Sequence, residues 1–447
     1  VIGAPTALFN PLTSSVPLSP RELIAGPLGL IAFLPLVPLV LLLGRRYRRS
    51  ALAIGGLVWL VPTLGLSTAI VLLAGVAAGT GWIILLVVLR RRERLGRRGM
   101  IALVWVGLHA LVLPLWWYAQ PAWYPSRMAI MHNVGFAYFL LRLIAWGTEA
   151  AAVPQMPLRL ADTVCWLLYP PCMRLGPVLV RADFLRRLDA WAPRESPRGW
   201  AGARRLGLML LGAIGLAIIG GQIPVVMSGR VDYFAAPEAY STGLLLRVFY
   251  LVPIQVYLLL WTYNQLALAL SLWVGLPVDD NFHWLPLATS VRDFWRRWHI
   301  TVGSWLRDSV YIPLGGSRRH VVRNTFAVFG YCGLWHGPSW SFLAWGMSQA
   351  VALTVQRGWD RLRARQPHPV PGREVGRGGF VAKPQNPHPT LPLRGGGRDV
   401  LWTAVCWLLT MHYQMASIVI FTDFEHVGWR LLRELLWRRG LASVLGG

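Results

Sequence analysis

Acidic side chains are scarce in this chain: 19 Asp and Glu stand against 44 basic residues, and charged residues of either sign make up only 14% of the whole. Soluble domains carry about 25% charged residues. A chain of 447 residues that is 55% hydrophobic therefore has more apolar surface than an aqueous globule buries. Lysine is nearly missing as well: every basic residue except Lys383 is arginine, which reads as genomic composition rather than chemistry. The four cysteines, Cys165, Cys172, Cys332 and Cys406, form no C-x-x-C pair and no secreted framework. Their spacing argues against a disulfide scaffold or zinc site and leaves buried thiols.

The net charge of +25 would suggest nucleic acid in a soluble protein, because basic residues neutralise phosphates. Its distribution argues otherwise. Arg45, Arg46, Arg48 and Arg49, then the basic stretch 90–98, sit between long uncharged runs, the alternation expected of basic loops held on the cytoplasmic side of a membrane. No nucleic-acid partner is expected.

A spanning helix needs about 20 mostly apolar residues. Leu23–Gly44, Ala51–Leu89, Ile101–Ser126, Leu206–Gly229, Val248–Val278, Asn324–Gln356 and Val400–Thr422 are long enough and free of charge. Ala51–Leu89 is read as two helices broken near Gly75–Gly81. Met128–Ala151 is a further span, with Arg142 and Glu149 expected near the interface because ionisable groups at membrane depth are costly. With two elements in the longest runs, about 9 to 12 membrane or re-entrant segments are expected. The fold class is all-α and polytopic.

Residues 1–22 have no basic n-region or cleavage site of a signal peptide. The chain starts at Val1, so this N-terminal segment is read as incomplete. Residues 366–399 hold seven prolines and two glycine clusters and little apolar periodicity, which predicts a low-complexity Pro/Gly/Arg loop. Within it, Asn386–Gly397 resembles translated interspersed repeats of bacterial genes. Its histidines are poor ligand candidates.

The chemistry concentrates in 290–349. Ser290-Val-Arg-Asp293 has a capping-box pattern, so a helix is predicted to start there. Trp295, Trp298, Val302 and Trp305 recur at helical spacing as one stripe, with Arg292, Arg296 and Arg297 mainly elsewhere, which suits a helix at the membrane interface. A loop, Tyr311-Ile-Pro-Leu-Gly-Gly316, leads to Arg318, Arg319 and Arg323 on the cytoplasmic side. His336 then stands in the charge-free run as Gly333-Leu-Trp-His-Gly-Pro338. A lone histidine there is either hydrogen-bonded across a helix pair or functional. The glycines and proline predict a broken helix, tolerated where it lines a cavity or is covered by protein, and neutral imidazole accepts a proton near neutral pH. Asp308 is read either as an ion-pair partner of Arg307 or Arg296 or as a site residue. His299 is either an interfacial aromatic or a second site residue. Cys332 shares a helical face with His336. That spacing suits packing, or an acyl-accepting nucleophile.

In order, Asp293-Phe-Trp-Arg-Arg-Trp-His-Ile-Thr301, Ser304-Trp-Leu-Arg-Asp308, Tyr311-Ile-Pro-Leu-Gly-Gly316 and Gly333-Leu-Trp-His-Gly337 closely resemble the signature of the membrane-bound O-acyltransferase (MBOAT) family, in particular the bacterial branch with the alginate O-acetylation and teichoic acid D-alanyl transfer proteins. Gly176-Pro-Val-Leu-Val-Arg181 and Asp280-Asn-Phe282 are weaker echoes. Two positions depart from the family pattern: Tyr263-Asn-Gln265 stands where many relatives have Tyr-Ser-Asp, and Asp279-Asp-Asn-Phe282 where they have Pro-Glu-Asn-Phe.

The resemblance implies an MBOAT-like membrane domain over 23–356, with its signature at 290–349, before the 366–399 loop. Residues 400–447 are then a C-terminal membrane helix with a basic amphipathic tail. It also implies His336 as catalytic histidine, Asp308 as the acidic or amide partner and His299 as second histidine. No bound cofactor or metal is implied. The acyl donor is a co-substrate such as acetyl-CoA or an acyl-carrier thioester, attracted by Arg292, Arg296, Arg297, Arg318 and Arg319. The acceptor is an extracytoplasmic glycan or envelope polymer, reached with a periplasmic partner acetyltransferase, and the location is the bacterial inner membrane. Two alternatives stay open: D-alanyl or other acyl transfer, and a transporter or scaffold with a degenerate site.

Overall fold

Backbone groups find no water in a bilayer, so apolar runs must satisfy their own hydrogen bonds as helices. The computed structural model describes residues 44–64, 66–118, 136–173, 176–190, 198–220, 237–336, 340–364, 397–422 and 429–435, with a few positions between 30 and 37 and residue 222. Among the described residues there are helices and turns and no strand. The N-terminal segment, most of Leu23–Gly44, the 366–396 stretch and the last twelve residues lie outside them. The chain divides into two units, residues 1–229 with 256–280 and residues 230–255 with 281–447.

In the first unit, α1 (Gly44–Leu64), α2 (Leu66–Arg91), α3 (Arg97–Tyr118) and α4 (Phe136–Ala152) precede short α5 (Leu160–Leu167) and α6 (Arg181–Asp189), then α7 (Arg198–Gly220) and residues 256–274 of α8 (Thr242–Val274). Ala51–Leu89 is covered by α1 and α2, and α2 runs through Gly75–Gly81 without the expected break. Of these glycines, Gly79 serves packing, while a methyl at Gly81 would meet open space. A methyl at Gly79 would come within 2.7 Å of Leu143 of α4.

Arg142 of α4 is fully buried rather than interfacial. Its guanidinium donates to the Trp166 and Leu167 carbonyls, the latter at 3.2 Å, and lies 5.0 Å over the Trp166 ring. These are the open carbonyls at the end of α5, the negative end of its dipole, so α5 supplies the compensation that burial demands.

Four helical stretches among the described residues are long and apolar enough to cross a membrane: Leu72–Arg91, Gly199–Ile219, Thr242–Val274 and Val400–Phe421. On α7, Leu211 and Ile218 are each more than 60% exposed, beside exposed Leu210 and Ile214. Such a continuous apolar face fits lipid, not water. The run Val248–Val278 is one helix, α8, with Pro253 inside it.

The second unit holds α9 (Val291–Arg297), α10 (Ile300–Leu306), a π-helical turn (Arg307–Tyr311), α11 (Val321–His336), α12 (Trp340–Ala364), α13 (Gly397–Thr422) and short α14 (Trp429–Arg433), with residues 242–255 of α8. Two sequence expectations change here. The helix from Ser290 is two helices broken at Trp298–His299, and its aromatic stripe does not lie on a membrane surface. Trp295, Trp298, Val302 and Trp305 are all buried against protein, with Trp295 packed on Phe329 and Trp305 on Tyr331 of α11. The run Asn324–Gln356 folds back as a hairpin, α11 ending at His336 and α12 starting at Trp340.

Small residues set the hairpin's spacing. A methyl at Gly333 would collide with the Phe342 carbonyl oxygen, one at Gly346 with the Phe329 carbonyl oxygen, and one at Gly330 would lie 2.7 Å from Met347 Cε. This is the close backbone approach that glycine allows between helices in lipid. Buried polar side chains then tie α9, α12 and α13 together. Trp295 Nε1 donates to Gln349 Oε1 at 3.0 Å, and Gln349 exchanges amide hydrogen bonds with Gln414 at 3.3 Å.

Gly333→Ala should destabilise the protein by about 1–3 kcal/mol, the ordinary cost of overpacking, measured as thermal unfolding in detergent. Gly358→Ala, on the same hairpin with nothing near the added methyl, should leave stability unchanged or raise it by up to about 1 kcal/mol.

Candidate active site

Ser290 starts α9 as the sequence predicts: its Oγ accepts the Asp293 N–H at 3.1 Å, while Asp293 Oδ2 accepts the Thr289 N–H at 3.3 Å. Asp293 also holds Arg297 at 3.0 Å, an i,i+4 pair. Arg292 is likewise engaged, pairing with Asp360 of α12 at 2.8 Å. Of the five arginines proposed for an anionic donor, Arg296, Arg318 and Arg319 are exposed, whereas Arg292 and Arg297 hold the fold.

His299 sits at the break with φ 44° and ψ 49°, a left-handed conformation costly for a non-glycine residue. Asn281, wholly buried, holds it there. The Asn281 carbonyl accepts the Ile300 N–H at 3.0 Å. Its side-chain Oδ1 accepts both the N–H and the hydroxyl of Thr301, at 3.0 and 2.5 Å. On the other side of the break, His283 N donates to the Arg297 carbonyl at 3.0 Å. One segment, 281–283, thus satisfies the backbone groups that the break exposes. The His299 ring packs 4.9 Å from Phe282 and 5.2 Å from Trp298. Its Nδ1 is buried and makes no hydrogen bond, and this desolvation lowers its pKa to about 4.

Asp308 lies in the π-helical turn, more than half exposed, and both its oxygens are taken by Arg307, at 2.7 and 2.9 Å. That is one of the two ion-pair partners open in the sequence. A π-helical turn is uncommon and recurs at functional sites. The following loop uses its glycines for conformation: Gly315 has φ +106° and Gly316 φ +56°. Buried Asn324 then donates to the carbonyls of Gly316, at 3.0 Å, and Arg319, at 2.7 Å, fastening the basic turn to the start of α11.

His336 is the last residue of α11 and half-buried. Its ring is walled by Trp335 at 4.7 Å, Phe421 of α13 at 4.9 Å, Trp345 at 5.4 Å and Phe342 at 5.7 Å. Gly337 and Pro338 lie outside the described residues. A relay of rings joins the two histidines: Trp345 contacts Trp295 at 5.9 Å, Trp295 contacts Phe294 at 5.9 Å, and Phe294 stacks on Trp298, neighbour of His299, at 5.7 Å. Asp308 is not part of this relay. Cys332 is buried one turn before His336.

Asn281, Trp345 and Phe421 were not singled out as site residues from sequence. Asn281 carried only a weak motif signal; the other two reach His336 through the hairpin and through α13, which no spacing reveals.

The first unit contains the positions that depart from the family pattern. Arg205 donates to Gln265 Oε1 at 2.9 Å and to Asp280 Oδ2 at 2.7 Å, and Asn264 donates to Asp280 Oδ1 at 2.7 Å.

A model of the membrane-bound O-acyltransferase family matches residues 99–383, well over half of the chain. The chain belongs to that family. Within it, the sequence is similar to a peptidoglycan O-acetyltransferase of Helicobacter pylori, 40% identical over 101 residues, 22% of this chain and 19% of that protein. It is also similar to the "Probable alginate O-acetylase AlgI" of Azotobacter vinelandii, 39% identical over 98 residues, 21% of this chain and 20% of that one. A teichoic acid D-alanyltransferase of Streptococcus thermophilus is 23% identical over 324 residues, 68% of this chain and 71% of that protein. The chain thus spans about a fifth of the length of the first two relatives. The family match takes in all three candidate residues, His299, Asp308 and His336.

Two outcomes follow for the break that positions His299. Asn281→Ala removes the acceptor of two buried donors and should cost about 1–3 kcal/mol, read as thermal unfolding in detergent. Since His299 binds a proton less readily folded than unfolded, its contribution is intact above its ordinary pKa of about 6.5. It should be lost as pH falls toward about 4. The acid-side decline in melting temperature should flatten over that window in His299→Phe; an unchanged slope would exclude His299 as its source.

Proposed function

We propose that this MBOAT protein moves an acyl group, most simply acetyl, from a cytoplasmic thioester such as acetyl-CoA or an acyl-carrier thioester to a hydroxyl of an extracytoplasmic polysaccharide or envelope polymer. His336 is the general base. The observation that carries this reading is the seat of His336: a half-buried imidazole at a helix end, walled by four aromatic rings and fixed by a glycine-spaced hairpin. Acyl transfer needs a base to take the proton as the oxygen attacks the thioester carbonyl. Aromatic walls exclude the water that would otherwise hydrolyse the thioester.

Asp308 and His299 are proposed as supporting groups. With both oxygens on Arg307, Asp308 does not orient the imidazole directly; its place in this reading is with a reactant at the π-helical turn. Exposed Arg296, Arg318 and Arg319 provide cationic attraction for an anionic donor. Their arginine-rich loops fit the cytoplasmic side of a bacterial inner membrane. Relay of the acyl group through a periplasmic acetyltransferase belongs to the same reading.

The acetyl assignment is supported by the two O-acetylating relatives at about 40% identity. The D-alanyl relative favours a second reading, because its similarity runs along 68% of the chain. Mild alkaline release from envelope polymers separates them, giving acetate in one case and D-alanine in the other.

In cells whose only copy is His336→Ala, ester-linked acyl groups on those polymers should fall at least about 100-fold, the lower range for loss of a general base, with protein abundance in the membrane unchanged. Unaltered ester content at equal abundance would remove His336 from catalysis and favour a scaffold or transporter.

A further inference from the structure

Trp345, on α12, is 4% exposed, and its Nε1 is buried without a hydrogen-bond partner. Other indoles here are provided for: Trp166 Nε1 donates to the Leu179 carbonyl at 2.8 Å, Trp295 to Gln349 at 3.0 Å and Trp407 to the Pro286 carbonyl at 2.7 Å. Trp146 Nε1 is also unpartnered, but its ring lies under the Arg181 guanidinium, 5.7 Å away, rather than beside a base. An unmade buried hydrogen bond costs stability, and such groups are rare enough to call for a cause.

The setting supplies one. The Trp345 ring stands 5.4 Å from the His336 ring at 85°, and Phe421 packs on both, 4.9 Å from His336 and 5.1 Å from Trp345. The α11–α12 hairpin holds the ring that carries this donor beside the ring of the proposed base. Resting on the acyl-transfer reading, the geometry points to Trp345 Nε1–H as a donor to the oxyanion of the tetrahedral intermediate.

The step balances. The acceptor hydroxyl oxygen bonds to the thioester carbonyl carbon as His336 takes its proton. The carbonyl π pair moves onto oxygen, where the indole N–H donates. When C=O re-forms, the C–S bond breaks, and the departing thiolate takes the proton back from His336, leaving ester and free thiol. A donor placed where charge develops acts chiefly on the transition state.

Trp345→Phe keeps a ring and removes the donor, whereas Trp345→Tyr keeps a ring and an O–H donor. Each is expressed as the only copy in cells whose wild-type protein restores ester-linked acyl groups to the envelope. Membrane abundance and detergent melting temperature are measured alongside. Trp345→Phe should lose about 100-fold or more of the rate at which ester accumulates, as for removal of one oxyanion donor, with melting within a few degrees of wild type. Trp345→Tyr should retain at least ten times the rate of Trp345→Phe. Wild-type rates in Trp345→Phe overturn the proposal, and so do equal losses in both variants, which mark a packing role. Either result leaves the reading of His336 standing, while full ester content in His336→Ala removes that reading itself.

Discussion

The approach of α11 to α12 is the constraint on which the site depends. Two backbones lie so close that a single methyl at Gly333 or Gly346 would meet the opposite chain's carbonyl oxygen. Lipid gives no hydrophobic drive for helix pairing, so packing must supply it, and glycine converts backbone surface into contact. The consequence is chemical as well as mechanical. His336 and Trp345 are nine positions apart in sequence, yet the fold-back places their rings 5.4 Å apart. Sliding or widening the hairpin would separate them and open the pocket wall formed by Phe342 and Phe421.

A second device fixes the other half of the signature. The chain from Ser290 to Leu306 has helical spacing throughout, but its hydrogen-bond ladder stops at Trp298 and restarts at Ile300. Such a break in a buried segment is tolerable only if the freed groups find partners. Asn281 and His283 provide them from outside the helix pair, with one asparagine bonding three donors. The Gln349–Gln414 pair then anchors α9 to α12 and α13 through Trp295. In low dielectric, amides bonded to amides give direction that apolar contacts lack.

How much of this was legible follows from the range of each signal. Ser290 and Asp293 act within one turn, so the start of α9 was readable to the residue, and the charge-free runs and arginine clusters gave an all-α membrane chain. The break at His299 was not readable, because the pattern Trp295, Trp298, Val302, Trp305 is what an unbroken helix would show and the cause of the break lies eighteen residues earlier, at Asn281. The glycines between 75 and 81 misled for a related reason. Glycine breaks a helix or lets one approach another, and only the partner, here Leu143, decides between them. Arg142 was misplaced because its compensation comes from the α5 carbonyls, a tertiary fact. The ordered motif made His336, Asp308 and His299 legible as candidates, but not the aromatic wall, whose members arrive from three helices.

The two departures from the family pattern compensate one another when read as charge. Gln265 in place of an acid removes a negative group, which would strand a buried cation if that acid were its only counter-ion. In this chain Arg205 bonds both Gln265 and Asp280, at 2.9 and 2.7 Å. Asp280 is the acid of the Asp279-Asp-Asn-Phe282 segment, so a carboxylate stays on the arginine even though the neighbouring acid is gone. Asn264 adds a donor to the second Asp280 oxygen, at 2.7 Å, which completes the carboxylate's bonding. Removing one partner of a part-buried pair is costly because the other charge is left uncompensated. Here the cation keeps a full counter-charge and a neutral acceptor besides. The substitution at 265 therefore lowers the negative charge around Arg205 without dismantling the hydrogen-bonded frame. Arg205 thus keeps both the Asp280 carboxylate and the Gln265 amide oxygen as partners.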